Sequence, residues 1–414
     1  MLHARQVVST LHSAIRCISV TGVESVKWHS STTTVERLDV CSFLGGPLGT
    51  VKPLVGFDLQ VRQTMLALKA GEPKQIGRAM SNQIANFAIA GSRERAFTRK
   101  LVEDALALAD RLGDPAVRGR ILVAAGMAAK LNQELSASLR YLDLAFETLG
   151  NLPGFSWERQ TARIFMLDDL MWMGRWNELF DQLPGFIEAA RQRGDLYASS
   201  YMRSRYAPLG FWIADDPEGA GHEADRGLGG WSTRGYSLPR YYQLYSGVQA
   251  LIYRGQAGQP WQRLDQSWPT LKRTLMRSIQ SVRVPLFEIR GRVALAVVAA
   301  DRSATHLTIA AQCAKALSRE RVRWADSYAA ALDGAVAAWR GDRQQALDGL
   351  AEGERQSAET EMSGFAAAMR RRRGEYLGGE EGRRLIDRAD AWFATQRVRN
   401  PAALTDCFAP RLNT

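Results

Sequence analysis

The chain comes back to a short turn-forming site about every forty residues. Gly91 in AGSRERA, Asn132 in KLNQELS, Gly174 in MGRWNEL, Asp215 in ADDPEGA, Gly255 in RGQAGQP, Asp301 in AADRSAT and Gly341 in RGDRQQA follow one another at intervals of 40 to 46 residues. Unrelated turns do not keep such a step, whereas stacked supersecondary units do. The period is longer than the roughly 34 residues of a tetratricopeptide unit and fits helix pairs with longer helices or connections.

The segments between these sites have helical phase. In RKLVEDALALADRLGD the apolar residues Leu101, Ala105, Leu108 and Leu112 fall on one helix face, and the helix should stop at Gly113-Asp114-Pro115. NELFDQLPGFIEAARQRGD repeats the scheme with Leu179, Leu183, Phe186, Ile187 and Ala190 and stops at Gly194-Asp195. Pro184 inside it predicts a kink or a fresh helix start. Trp261 and Trp268 share one side of a helix read as starting at Pro260 and ending at Pro269.

Small residues gather where helices would cross closely: Ala124, Ala125, Ala128 and Ala129, then Ala330, Ala331, Ala335, Ala337 and Ala338. No stretch alternates polar and apolar residues long enough to demand a strand. The fold class read from this pattern is all-α: an α-solenoid of stacked, tetratricopeptide-like helix pairs with a period of about 40–45 residues.

Three regions follow. Residues 1–35 contain TGVESVKWHSSTTTV, which lacks helical phase, and read as a disordered or non-native leader, with the ordered body beginning near Leu38. Residues 36–382 form the repeat array. Residues 383–414 form a C-terminal helical cap, interrupted at Asn400-Pro401, with Trp392, Phe393, Leu404 and Phe408 available to cover the last apolar face. No comparable cap is visible at the N-terminal end.

The four cysteines (Cys17, Cys41, Cys313, Cys407) are scattered, which suits a reducing compartment and neither a disulfide framework nor a zinc site. The longest apolar run, VALAVVAA at 293–300, is far short of the ~18 residues that cross a bilayer. With no signal peptide in the first residues, the expected location is the cytoplasm, with no membrane partner.

A net charge of +11 raises the possibility of an anionic partner, nucleic acid included. The densest cluster, Arg370 to Arg373, wraps around its helix instead of forming a stripe and reads as solvated surface. Asp168-Asp169 and Asp215-Asp216 read as structural, the second pair capping a helix that starts at Pro217. Of the five histidines, His222 alone in the body has a carboxylate neighbour, Glu223, and adjacent helical residues point apart. No metal-ligand spacing, cofactor motif or nucleophile elbow is present. The expectation is a chain with no catalytic, cofactor or metal residues of its own.

The most distinctive side chains are the tyrosines of YYQLYSGVQALIYRG: Tyr241, Tyr242, Tyr245 and Tyr253. Their helical spacing serves helix packing, or else a groove that takes up a protein or peptide partner.

Four stretches, LGTVKPLVGFDLQVRQTMLALKAGEP (48–73), RQRGDLYASSYMRS (191–204), YYQLYSGVQALIYRGQAGQPWQRLDQSWPTLKRTLMRSIQSVRV (241–284) and ADAWFATQRVRNP (389–401), resemble the C-terminal repeat region of large bacterial serine/threonine protein kinases. In those proteins a kinase domain and an AAA-type ATPase module precede tetratricopeptide-like repeats. The resemblance spans roughly residues 36–410 and implies a non-catalytic interaction and regulatory module that works on partner proteins or on upstream kinase and ATPase domains. The kinase glycine-rich loop, HRD-type loop and DFG site, and the ATPase GxxxxGK[ST] loop, are all missing. Neither activity is carried by a residue of this chain. The alternatives are an Arg-rich, nucleic-acid-associated transcriptional regulator and a remnant of a kinase gene with no independent role.

Overall fold

In a computed structural model that describes residues 32–150, 152–231 and 236–413, every regular element among those residues is a helix. The chain forms two compact units. The first comprises the chain to Asn132 together with Ser136–Phe165, and the second comprises Gln133–Leu135 and Met166–Thr414. The first unit holds α1 (Thr32–Val51) and α2 (Pro53–Ala70), α3 (Pro73–Ile89) and α4 (Arg95–Leu112), and α5 (Pro115–Leu131) and α6 (Leu135–Leu149), and it ends inside α7 (Ser156–Met173).

The second unit continues with α8 (Trp176–Gln192), then α9 (Leu196–Arg205), α10 (Ala207–Ile213) and α11 (Pro217–Arg226). Next come α12 (Leu238–Tyr253) and α13 (Gly258–Arg273), α14 (Gln280–Asp301) and α15 (Ala304–Ser318), and α16 (Arg323–Trp339) and α17 (Arg343–Glu359). It closes with α18 (Ser363–Leu377), α19 (Gly379–Thr395) and the short α20 (Pro401–Asp406). Within each unit successive helices pack on one another as stacked pairs, the α-solenoid arrangement.

All seven turn sites fall between the two helices of a pair. Gly91, Gly174, Gly255 and Gly341 have φ of 78°, 76°, 73° and 88°, and Asp215 has 60°. At the other two the left-handed residue is one position later, Gln133 at 59° and Arg302 at 56°. A single left-handed residue ends one helix and lets the chain double back, so the spacing of these residues sets the repeat.

The second helices end in the same way, at Gly71, Gly113 and Gly194 among others. The next helix often starts on an acidic cap. The Asp114 carboxylate accepts from the N–H groups of Ala116 and Val117 at 2.9 and 3.3 Å, Asp195 from Ala198 at 2.9 Å and Asp216 from Gly219 at 2.8 Å. The alanine clusters are buried: Ala124, Ala125, Ala128 and Ala129 in α5, and Ala331, Ala335, Ala337 and Ala338 in α16.

Three expectations need revising. α8 runs from Trp176 to Gln192 with no fresh start at Pro184, and α13 runs through Pro269 to Arg273. Proline removes one hydrogen bond, and burial of Leu183 and Leu271 beside these sites holds the helices together. The leader boundary also moves. α1 begins at Thr32, so residues 32–35 are helical and Leu38 is fully buried inside that helix. Residues 1–31, with Cys17, His3, His12 and His29, lie outside the described residues.

α16 crosses α17 closely. A Cβ built on Gly349 would lie 2.7 Å from both Gly334 Cα and Ala330 O, which are backbone atoms with no room to yield. Gly349→Ala is therefore expected to destabilise the second unit by about 1–3 kcal/mol, read as a lower urea midpoint at unchanged slope. The exposed helix substitution Gln344→Ala should leave the midpoint within about 0.5 kcal/mol of wild type.

Candidate functional site

The second unit has an inner surface, and the chain's own C-terminal segment occupies it. After α19 the backbone leaves the helix at Gln396, turns through Arg397 (φ 61°) and restarts at Pro401, where the Asn400 side chain caps α20 by accepting from Ala403 N–H at 3.1 Å. Gln396 Oε1 accepts from the N–H groups of Trp176 and Asn177, at 3.0 and 3.4 Å, and so caps the otherwise unsatisfied start of α8. Arg399 N–H donates to Ile213 O at 3.0 Å, at the end of α10.

Beyond α20 the segment is recognised mainly through its backbone. Gln249 of α12 donates from Nε2 to Cys407 O at 2.9 Å, and Cys407 Sγ–H donates in return to Gln249 O at 3.6 Å. Arg292 of α14 donates to Asp406 O at 2.8 Å. Trp339 Nε1 of α16 donates to Arg411 O at 3.2 Å. Arg372 of α18 pairs with the Asp406 carboxylate, which Arg411 also meets at 2.5 Å. Helices α12, α14, α16 and α18, the first members of four successive pairs, thus each contribute one side chain.

Aromatic packing completes the seat. Phe408 lies 4.8 Å from Phe365 of α18 and 5.9 Å from Trp176 of α8 between ring centroids, and Trp176 is 5.3 Å from Trp392 of α19. Trp172 of α7 stacks on Phe365 at 5.4 Å. The first and last pairs of this unit therefore share one aromatic core through the segment between them, each ring pair adding about 0.5–1.5 kcal/mol beyond its buried area. Phe393, Leu404, Cys407 and Ala409 are fully buried, so the residues read as an end cap lie inside the unit.

The four tyrosines lie beneath this seat. Tyr241, Tyr242 and Tyr253 are buried and Tyr245 is half-buried. Tyr241 OH donates to Val282 O at 3.3 Å, and the hydroxyls of Tyr201 and Tyr242 lie 3.2 Å apart. The Arg205 guanidinium lies 4.6 Å over the Tyr242 ring while meeting Asp168 at 3.2 Å. Burial pushes all four phenols above their usual pKa, helped at Tyr253 by Asp215.

Two of the tyrosines connect to the segment at one remove. Tyr253 OH donates to Asp215 Oδ1 at 2.6 Å, which also accepts from Asn400 at 3.2 Å, and Gln249 reaches Tyr245 OH at 3.5 Å. Tyr245 and Tyr253 thus contact the side chains that hold the segment, while Tyr241 and Tyr242 are buried among helices.

The other singled-out residues have structural partners. Glu223 is buried and paired with Arg203 and Arg226, at 2.6 and 2.9 Å. Trp261 and Trp268 sandwich Arg290, at 4.7 and 4.0 Å. The Arg370–Arg373 run is not the solvated face it was read as. Arg370 and Arg373 both pair with Glu354, Arg371 with Glu375 and Asp390, and Arg372 with Glu375 and Asp406, and no side chain of the four is more than 23 % exposed. Carboxylates on α17, α19 and α20 take up the charge, and those partners cannot be read from the run itself.

Burial pushes the Cys313 thiol up to about 12 and lifts Cys407 further, so neither is poised as a nucleophile. Among the described residues no three His, Cys, Asp or Glu side chains are placed to hold a metal, and no helix is long and apolar enough to cross a membrane. Compared with known proteins, the chain matches no family model and no curated protein.

At the centre sits a buried ion pair. Arg292 Nε donates to Glu288 at 2.6 Å, with side-chain exposures of 2 % and 5 %, while Arg292 Nη2 donates to Gln249 Oε1 at 2.9 Å. Burial resists the Glu288 charge and raises its pKa, with Arg292 pulling the other way. Arg292→Met removes that pull and should cost about 3–5 kcal/mol near neutral pH. The share of that loss due to Glu288 should shrink as pH falls through its folded-state pKa, which lies above the ordinary 4.5, and be gone below 4.5, where Glu288 is neutral folded or unfolded. The share due to the lost hydrogen bonds to Gln249 and Asp406 should remain. Urea melts of wild type and variant across that window check the sign.

Proposed function

We propose that the chain is a non-catalytic helical-repeat interaction and regulatory module whose inner surface holds an extended segment of polypeptide. The observation that carries this reading is main-chain recognition. Gln249, Arg292 and Trp339, on three successive inner helices, donate to the carbonyls of Cys407, Asp406 and Arg411. Backbone-directed donors impose few demands on sequence, and an apolar seat for one ring, here that of Phe408, supplies register. Residues 396–412 act as the occupant in cis.

The likeness to the repeat region of serine/threonine kinase–ATPase regulators supports the same reading, with protein segments or the catalytic domains of such regulators as partners and the cytoplasm as location. The nucleic-acid reading has less behind it, because the densest arginine run is committed to internal carboxylates. The purified chain is expected to show neither ATP hydrolysis nor phosphotransfer, and activity removed by a point substitution in this chain would contradict that.

The direct test places a protease site in the turn between α19 and α20, where Arg397 and Arg399 are exposed on either side of buried Val398, and cuts it after folding. The released C-terminal peptide should co-elute with the body through gel filtration and exchange saturably with a labelled copy. Loss of the peptide with no rebinding would remove the proposal.

A further inference from the structure

The first unit has a cleft of about 340 Å³ between the N-terminal ends of α3 and α5. Its charges follow the repeat. Asp39 of α1, Arg78 of α3, Arg120 of α5 and Glu158 of α7 are 38 to 42 residues apart in the chain, at matching places in successive pairs. Arg78 donates to Asp39 at 2.9 Å, and Arg120 meets Glu158 at 2.8 Å. The acids of this series come from α1 and α7, while the two arginines, on the neighbouring helices α3 and α5, both line the cleft.

The cost of this arrangement is visible at Arg120. Burial pushes its guanidinium below its usual pKa, Glu158 opposes that, and the nearby charge of Arg78 adds to it. Arg120 also lies 4.9 Å over the Phe155 ring, which lines the cleft with Val117. α3 begins at Pro73 after Glu72 with no side-chain hydrogen bond to its first N–H groups, whereas α5 is capped by Asp114. The Asp114 carboxylate is already engaged by those two N–H groups and by Lys74 at 2.9 Å, which together hold it below its usual range.

We propose that this cleft binds a small organic acid. Its single carboxylate sits between Arg78 and Arg120 at the start of α3, and its apolar body lies against Val117 and Phe155. Each guanidinium has five N–H donors in a planar fork and retains donors for a carboxylate after meeting its internal acid. The volume lies within the range of small-ligand sites, about 300–1,000 Å³. The carboxylates of Glu72 and Asp114, also lining the cleft, disfavour more highly charged anions, so a monocarboxylate fits better than phosphate. This inference is independent of the peptide reading, which concerns the second unit.

Isothermal titration of the full chain with benzoate, benzamide and inorganic phosphate tests it. Benzoate should bind saturably, at least about tenfold tighter than benzamide and than phosphate, a charge-assisted pair being worth about 1.5–3 kcal/mol. Arg120→Gln should abolish the preference for benzoate over benzamide, and Arg120→Lys should restore part of it. Arg78→Gln, at a more exposed side chain, carries the same expectation if the first variant loses its helical circular dichroism. Equal binding of benzoate and benzamide, no benzoate binding to wild type, or a preference unchanged in a folded variant would overturn the proposal.

Discussion

A helix pair in this chain has two apolar faces, one for its own partner helix and one for the next pair, and no pair can bury both alone. Every further feature answers that constraint. Left-handed residues such as Gly174, Asp215 and Gly341 fold each helix back on its partner, and buried alanines let neighbouring helices approach. In the second unit the inner faces are filled by residues 396–412 of the same chain. The apolar surface of α8 and α18 is thereby removed from water by Phe408, which meets Trp176 and Phe365, with Leu404 buried beside it.

The repeat was legible because it depends on local chemistry. A left-handed glycine and an aspartate cap leave marks at fixed sequence positions, so the turns at Gly91, Gly255 and Gly341, the helix stops at Gly113-Asp114 and Gly194-Asp195, and the cap before Pro217 could be read directly. Helix continuity through Pro184 and Pro269 could not, because tertiary burial there outweighs a local preference. Where the C-terminal segment goes was also hidden. Gln249, Arg292 and Trp339 stand on three different helices, and each meets a partner 72 to 158 residues away. No local pattern marks such pairs. The tyrosines drew notice for their size, and their role in support of Gln249 and Asp215 became visible only in three dimensions.

Charge is handled in the same modular way. Net positive charge on a repeat protein invites an anionic partner, yet Arg370 to Arg373, Arg292 and Arg205 are all spent on internal carboxylates or backbone carbonyls. A buried charge with its partner in place adds little stability and fixes one arrangement strongly, since any shift of the segment takes Asp406 away from Arg372. The buried arginines facing the segment thus specify where it lies. Surface arginines remain to give the chain its net charge.

The central claim is that residues 404–409 are seated inside the second unit. Native-state hydrogen exchange followed by mass spectrometry on the full chain tests it most directly. Amides of 404–409 should exchange as slowly as those of α16, and far more slowly than those of the exposed first turn of α19 at 379–381, whose N–H groups have no partner within the helix. Exchange of 404–409 at the rate of that turn would contradict the seating and the function built on it.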